Sequence, residues 1–405
     1  MLFRLSALPR VARVRAGSLC GGPLDGVMVA DFSRVLAGPL ATMMLGDLGA
    51  EVIKIERPGL GDDTRSWGPP FVEDGSATYY VSVNRNKRSV ALDLTDGQQR
   101  AEARALAVSA DVVVENFRAG TMERFGLDYE SLRADNPGLV FCRVSAFGPS
   151  GGRDLTGYDF IAQAASGLMS ITGEAEGPPT KTGVAIVDVI TGLYATIGVV
   201  AALAERQSSG LGQFIEVNLL SSALAALVNQ ASAFVSAGVV PGRMGNLHPS
   251  ITPYQTFATS TDPIAIAATN ERQFSALCKS LDAPHLASDQ RWSSNTARVE
   301  HREALTTELE SILRRRPCDH WVERLTAHGI PCSQVNTIEA AFRLAAELGL
   351  DPVRRLPGGE GQSTATVANP ITFSRTPASH RLAPPALGAD TAEVLEGLRS
   401  RKESP

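Results

Sequence analysis

The fold is decided by residues 27–57, VMVADFSRVLAGPLATMMLGDLGAEVIKIER. This stretch divides into a strand (VMVADF), a turn (SRVLAGP), a helix (LATMMLGDLG) and a second strand (EVIKIER). Short apolar runs rich in β-branched residues and bounded by Gly and Pro favour buried strands. A second cycle follows, with strands RSVALDL, DVVVENF and LVFCRVSAF and helices at residues 98–109 and 129–134. Strands that alternate with helices predict an α/β protein with a mostly parallel, doubly wound sheet.

Ligands of such sheets bind beyond the carboxyl ends of the strands. That rule points to four loops, at residues 33–38, 57–65, 116–118 and 147–152. Further along, GVVPGRMGNLHPSITPYQ breaks the periodicity and is typical of a linker or a ligand loop. The sequence of residues 263–331 is charged and has helical patterns, which predicts a smaller, separate domain.

Composition excludes several functions. The 405 residues are 43% hydrophobic and carry a net charge of −5, which argues against nucleic acid or an anionic membrane as a general partner. The longest apolar stretches are short and interrupted, so we interpret them as buried helices. The five scattered cysteines have no metal-binding spacing, so no metal site is predicted. Fingerprints for ATP or NAD are absent, and the formal GxSxG at residues 148–152 lacks the helix that a hydrolase elbow requires.

The first 24 residues contain four arginines and two serines and no acid. This composition predicts a mitochondrial transit peptide and a location in the matrix. The alternative is a disordered leader that has no targeting function.

Two aspartates, Asp159 and Asp188, lie inside apolar runs of the segment GYDFIAQAASGLMSITGEAEGPPTKTGVAIVDVITG. Buried carboxylates are rare, which makes both candidates for chemistry. Asp188 precedes a long apolar helical pattern, so we expect it to be a helix N-cap. A cap can be purely structural. A helix N-terminus also keeps a carboxylate ionised and nucleophilic, and can hold the oxyanion formed when it attacks an acyl carbon.

Several segments, taken in order, resemble one family: residues 27–65, SVNRNKRSVALDL, DVVVENFRAGTMERFGLDY, GYDFIAQAASGLMSITG, VAIVDVITGLYA and PPALGADTAEVL. The chain resembles the class III CoA-transferases from about residue 24 to 398. Within that family, GPPFVEDGSATYYVSVNRNKRS, VAIVDVITGLYATIG and HPSITPYQTF are most similar to mitochondrial members that move CoA from succinyl-CoA to glutarate or hydroxymethylglutarate.

The resemblance implies a split Rossmann-like large domain, a smaller α+β domain and an interlocked homodimer. The expected order is a leader (1–24), the large domain (25–225), a linker (226–250), the small domain (251–345) and a return to the large domain (346–405). No permanent cofactor is implied, since coenzyme A is a substrate.

The resemblance makes Asp188 the nucleophile, which forms an aspartyl anhydride and then an aspartyl-CoA thioester. Its implied CoA contacts are Leu36, Ala37, Arg57, Leu92, Asp93, Asn116, Phe117, Arg124, Leu155, Thr156, Gly157 and Tyr158. The chain departs from the family pattern at Arg34 and Leu36, where formyl-CoA transferases have His and Gln. Thr95 replaces an expected lysine, and Asp390 an expected His.

Two alternatives stay open. A 2-methylacyl-CoA racemase would use Asp159 and an upstream histidine, but all six histidines follow Asp159. The other alternative is a non-catalytic acyl-CoA-binding protein, or a thioesterase if water reaches the anhydride. The loop GRMGNLHPSITPYQ is a candidate lid that would exclude water, as well as a candidate linker. For the far carboxylate of a dicarboxylic acid acceptor, the candidates are Arg85, His248 and Tyr254.

Overall fold

The computed structural model describes residues 21–357 and 363–403, without the side chains of 401–403. The predicted leader therefore lies almost entirely outside the described residues. The chain forms two compact units. The first holds the described residues up to Ser166, Gly183–Ala231 and the described part of Asp351–Pro405. The second holds Gly167–Thr182 and Ser232–Leu350.

A six-stranded parallel sheet with helices on both faces forms the centre of the first unit. In chain order its elements are β1 (Met28–Asp31), α1 (Ala37–Asp47), β2 (Glu51–Glu56), α2 (Thr78–Val83), β3 (Lys87–Ala91), α3 (Gly97–Ser109), β4 (Val112–Glu115), α4 (Thr121–Phe125), α5 (Tyr129–Arg133), β5 (Val140–Ser145), α6 (Asp159–Ala165), α7 (Ile186–Ser209), β6 (Phe214–Asn218) and α8 (Leu219–Ala226). The strand order, β3-β2-β1-β4-β5-β6, is that of the Rossmann fold. The fold class predicted from the alternating pattern is confirmed.

Alternating side chains of β1 enter two different cores. Met28 and Ala30 join a cluster with Leu106 of α3, whereas Val29 joins one with Leu45 of α1. Strand residues alternate between faces, and burying each large aliphatic side chain contributes roughly 1.5–3 kcal/mol. Both faces of the sheet are therefore covered, as a parallel sheet requires.

Helix α1 begins at Ala37, three residues before the predicted start at Leu40. The prediction treated Gly38 and Pro39 as turn residues. Proline is tolerated in the first turn because its missing N–H would have no partner inside the helix. The loop after β1 is correspondingly shorter than expected.

Helix α7 has the length and hydropathy of a membrane span, but half of its most apolar window is buried in the protein. Helix α7 packs closely against α1 at Gly192, where an added Cβ would lie 2.7 Å from the carbonyl oxygen of Ala37. The glycine therefore allows this part of α7 to be buried. A bent pair of helices, α8 and α9 (Val228–Ala237), passes the same test together. The presence of α9 corrects part of the expected linker at 226–250. Only Leu227 separates α8 from α9, and helical structure resumes at Val228, whose φ is 41°.

The second unit has a three-stranded antiparallel sheet in the order β7-β8-β9, covered by helices. Its elements are β7 (Tyr254–Phe257), β8 (Ile264–Ala267), α10 (Glu271–Ser280), α11 (Asn295–Glu300), α12 (Arg302–Leu313), α13 (Cys318–Ala327), β9 (Cys332–Gln334) and α14 (Ile338–Glu347). In its core, Trp321 donates its indole N–H to the carbonyl oxygen of Leu313 at 2.7 Å. The inclusion of Gly167–Thr182 was not predicted.

The chain returns to the first unit with a hairpin of β10 (Val353–Pro357) and β11 (Ser363–Val367) and a last helix, α15 (Thr391–Glu403). Asp390, which replaces the histidine expected from the family pattern, has a structural role here: its carboxylate accepts the N–H of Ser89 at 2.8 Å. The N–H of Asp390 in turn donates to the carbonyl oxygen of Ser89 at 3.0 Å. This exchange fixes the start of α15 beside β3.

Candidate active site

An open cavity of about 650 Å³ lies beyond the carboxyl ends of β1, β4, β5 and β6. The loops at 33–38, 116–118 and 147–152 all contribute to its wall, as the sheet rule predicted, and the loop at 57–65 contributes Asp63. The predicted site residues that the structure brings together here are Leu36, Ala37, Asn116, Phe117, Leu155, Thr156, Gly157, Tyr158 and Asp188.

The other four implied CoA contacts do not line this cavity. Arg57 and Arg124 are exposed, and Arg124 stacks on Phe125 at 4.6 Å from the ring centre. Leu92 is buried in the core of the first unit. Asp93 accepts hydrogen bonds from the hydroxyl and the N–H of the same threonine that replaces the expected lysine, at 2.7 and 2.9 Å. Their roles in CoA binding stay predictions.

Asp188 lies in the first turn of α7, and the expectation that it caps this helix is wrong. The cap residue is Ala185, which has no side-chain acceptor. Asp159, at the start of α6, takes that role: its Oδ1 accepts the N–H of Val187 at 2.8 Å and that of Asp188 at 3.1 Å. Its Oδ2 accepts from the side chain of Gln163 at 2.6 Å. Sequence reasoning could not find this because the cap comes from a different helix.

The two carboxylates are electrostatically coupled. Burial is the larger cause and the charge of Asp159 the smaller, and together they raise the pKa of Asp188 to about 7. Both residues are 8% exposed. The sequence argument expected a helix N-terminus to keep Asp188 firmly ionised, but burial and the second acid outweigh that effect. Near neutral pH, Asp188 is therefore divided between its acid form and its nucleophilic form.

The sequence analysis missed Tyr79, whose pKa both carboxylates influence, and Trp67, which packs against it. Burial, followed by the charges of Asp188 and Asp159, raises the pKa of Tyr79 to about 12, so its phenol stays a hydrogen-bond donor. Trp67 packs edge-on against Tyr79 and Tyr158, with ring centres 5.4 and 6.4 Å away. The only sequence signal was an aromatic-rich segment between two strands, which is too common to be diagnostic.

Four arginines line the cavity, and they differ in their partners. Arg34 pairs with Asp63 at 3.2 Å, and Arg143 pairs with Glu115 at 2.5 Å. Arg118 and Arg153 are exposed and form no ion pair within the described part of the chain. Exposed guanidinium groups in a cavity suit phosphate oxygens, so these two are the cations best placed for a polyphosphate ligand.

The acceptor role predicted for Arg85 is contradicted by its surroundings. Its side chain is only 5% exposed, and its guanidinium makes two hydrogen bonds to the carboxylate of Asp47, at 2.8 and 2.6 Å. The remaining terminal nitrogen donates to Thr366 and to the carbonyl oxygen of Val367, both at 3.0 Å. The residue joins α1 to the C-terminal hairpin, and these contacts use four of the five N–H groups of its guanidinium.

His248 and Tyr254 both lie in the second unit, with their rings 5.0 Å apart. The Nδ1 of His248 accepts the N–H of Ser250 at 3.0 Å. Their proposed contact with an acceptor acid stays a prediction. Among the described residues, no cluster of three or more His, Cys, Asp or Glu side chains could hold a metal ion.

The first unit thus combines a Rossmann-type sheet with a buried acid in a cation-lined cavity, and comparison with known families gives the class of this protein. The family model described as "CoA-transferase family III" matches residues 24–391, so the chain belongs to this family and is a class III CoA-transferase.

Individual relatives are similar over nearly the whole chain. A succinate–glutarate CoA-transferase of Agrobacterium fabrum is 42% identical, covering 93% of this chain and 96% of its own. The succinyl-CoA:glutarate CoA-transferase of Homo sapiens is 39% identical, with 92% and 85% covered. Among solved structures, a CAIB/BAIF family protein from Brucella suis has a TM-score of 0.84 at 39% identity, covering 93% of this chain and all of that one.

Proposed function

We propose that this protein moves CoA from succinyl-CoA to a dicarboxylic acid, glutarate or hydroxymethylglutarate, with Asp188 as the covalent nucleophile. The single observation that carries the proposal is the position of Asp188: a buried carboxylate in the first turn of α7 that lines the same cavity as the loops predicted to bind CoA. The names of the similar relatives support succinyl-CoA and glutarate as the substrates.

The chemistry proceeds in two symmetric halves. A carboxylate oxygen of Asp188 attacks the thioester carbonyl, the C–S bond breaks, and a succinyl–aspartyl anhydride forms with free CoA thiolate. The thiolate then attacks the aspartyl carbonyl, which releases succinate and leaves an aspartyl-CoA thioester. The acceptor carboxylate attacks that thioester to give a second anhydride, and the thiolate attacks the acceptor carbonyl, which restores the Asp188 carboxylate. No step consumes ATP.

The neighbours of Asp188 suit particular steps. The N–H groups of the first turn of α7 are occupied by Asp159 at Val187 and Asp188, so they do not serve the oxyanion. We infer that the Tyr79 phenol, which stays protonated, donates to the acyl oxygen or to the anhydride. Arg118 and Arg153 would hold the phosphates of CoA.

The far carboxylate of the acceptor still needs a partner, since burying it unpaired is costly. Because Arg85 is paired with Asp47, the sequence-predicted candidates that remain for this contact are His248 and Tyr254. The racemase alternative lacks its second base, because no histidine precedes Asp159.

We propose that the enzyme is a homodimer. Helix α7 exposes three large apolar side chains, Leu193, Tyr194 and Ile197. Large apolar side chains exposed close together on one helix are typical of an interaction surface. A location in the mitochondrial matrix is likewise proposed, on the composition of the first 24 residues.

The test is an exchange assay with purified protein, succinyl-CoA and glutarate, which follows succinate, glutaryl-CoA and free CoA together. Asp188→Asn is the inactive variant, and Asp128→Asn, a capping carboxylate of α5, is the matched control. We expect glutaryl-CoA and succinate in equal amounts, and a CoA adduct on the peptide that contains Asp188 when the acceptor is omitted. Free CoA without glutaryl-CoA would instead establish a thioesterase.

A further inference from the structure

The loop between β1 and α1 contains a strained residue next to the proposed site. Val35 has a φ of 71°, in the left-handed region that β-branched residues strongly disfavour. It is followed directly by Leu36 and Ala37, which line the cavity together with Asp188. Strain of this kind persists only where the surroundings enforce it.

Asp62 is the residue that enforces it. Its two carboxylate oxygens accept the N–H of Val35 at 3.2 and 3.3 Å. The carboxylate is buried, 1% exposed, and also accepts from Lys54 at 2.9 Å and from the N–H of Thr64 at 3.0 Å. Lys54 is fully buried and donates to the carbonyl oxygen of Ser33 at 2.8 Å, on the other side of the strained residue.

Asn116 forms a second clamp, on Arg34, which lies between Ser33 and Val35. Asn116, at the end of β4, accepts the N–H of Arg34 at 2.9 Å and donates to its carbonyl oxygen at 2.7 Å. Beyond the loop, the carbonyl oxygen of Ala37 lies against Gly192, one turn after Asp188 on α7. The segment is thus fixed between a buried charge pair and the helix that carries the nucleophile.

We propose that Asp62 is a positioning residue: it holds Val35 in the left-handed conformation and thereby fixes the Leu36–Ala37 wall against Asp188. The role rests on the proposed function, since that wall would face the thioester during transfer. If the clamp is released, the backbone relaxes to an extended or right-handed conformation, and the wall moves away from the carboxylate.

A double-mutant comparison tests this directly, because glycine adopts the left-handed conformation without strain. Asp62→Asn keeps the shape of the side chain, but its amide group opposes the Lys54 ammonium. We expect this change to lower kcat/KM about tenfold when residue 35 is valine, within the range that one strained residue costs. In the V35G background the same change should cost about threefold or less. Asp128→Asn is the charge-matched control and should leave kcat/KM unchanged.

Two results would overturn the proposal: an equal loss in both backgrounds, or a lower melting temperature with unchanged kcat/KM. If Asp62→Asn does not fold, Asn116→Ala releases the second clamp at a partly exposed position, and its loss must show the same dependence on residue 35. Wild-type protein is assayed first. If it transfers no CoA, the proposed function fails, and the comparison is then read from the dissociation constant for CoA by calorimetry.

Discussion

The carboxylate pair Asp159 and Asp188 makes a quantitative prediction about pH. The pKa of Asp188 is raised from 3.8 to about 7, a difference of about three pH units, which corresponds to about 4 kcal/mol. Only the ionised form attacks the thioester. The value of kcat/KM, which reports ionisations of the free enzyme, should therefore rise through about pH 7 and level off above it.

Asp159→Asn should move that profile to lower pH. The amide oxygen still accepts the N–H groups of Val187 and Asp188, so the start of α7 is kept, while the like charge is removed. Because burial is the larger cause of the elevated pKa, removing the charge should lower it by less than half, at most about 1.5 pH units. Initial rates of glutaryl-CoA formation from pH 5 to 9, at low succinyl-CoA, measure the displacement.

Stability gives an independent check. A carboxyl group with a raised pKa in the folded state contributes stability below its unfolded pKa of 3.8 and loses it as the pH rises through about 7. Asp188→Asn, which cannot ionise, should be as stable as wild type near pH 4 and more stable above pH 7, by up to about 4 kcal/mol. A rate profile that is flat from pH 5 to 9, or one that Asp159→Asn moves to higher pH, would refute the electrostatic reasoning.

Three further predictions concern residues outside that pair. Arg85→Ala leaves the Asp47 carboxylate buried without its cation and should lower the free energy of unfolding by about 3–5 kcal/mol in urea titrations; a raised KM for glutarate without this loss would restore its acceptor role. Arg118→Ala should raise the KM for succinyl-CoA about tenfold and weaken the salt dependence of that KM, because a phosphate contact is lost. The control Arg133→Ala, which removes an exposed ion pair, should change neither, and equal effects of the two variants would exclude a phosphate contact of Arg118. Ile197→Glu places a charge on the exposed apolar face of α7 and should convert a dimer to a monomer in sedimentation velocity, while an unchanged mass would exclude that face from the interface.

The sequence by itself determined the architecture of the first unit. The alternation of short β-branched runs with helical runs predicted the parallel sheet, and the rule on strand ends located four loops that contribute to the cavity. These features depend on the local order of residues, which a sequence shows directly. Asp188 could be singled out for the same reason, since an acid inside an apolar run is visible without a structure.

Tertiary structure alone decided which groups meet. Asp159 caps α7 from another helix, Asp62 restrains Val35 from the loop after β2, and Arg85 is held by Asp47 and a hairpin more than 200 residues away in sequence. Each of these side chains is polar and has a choice of partners, so local pattern cannot say whether it faces solvent, substrate or a buried counter-charge. Burial then sets the electrostatics. It raises the pKa of Asp188, and it pairs the Arg85 guanidinium with the Asp47 carboxylate, which argues against Arg85 as a substrate ligand.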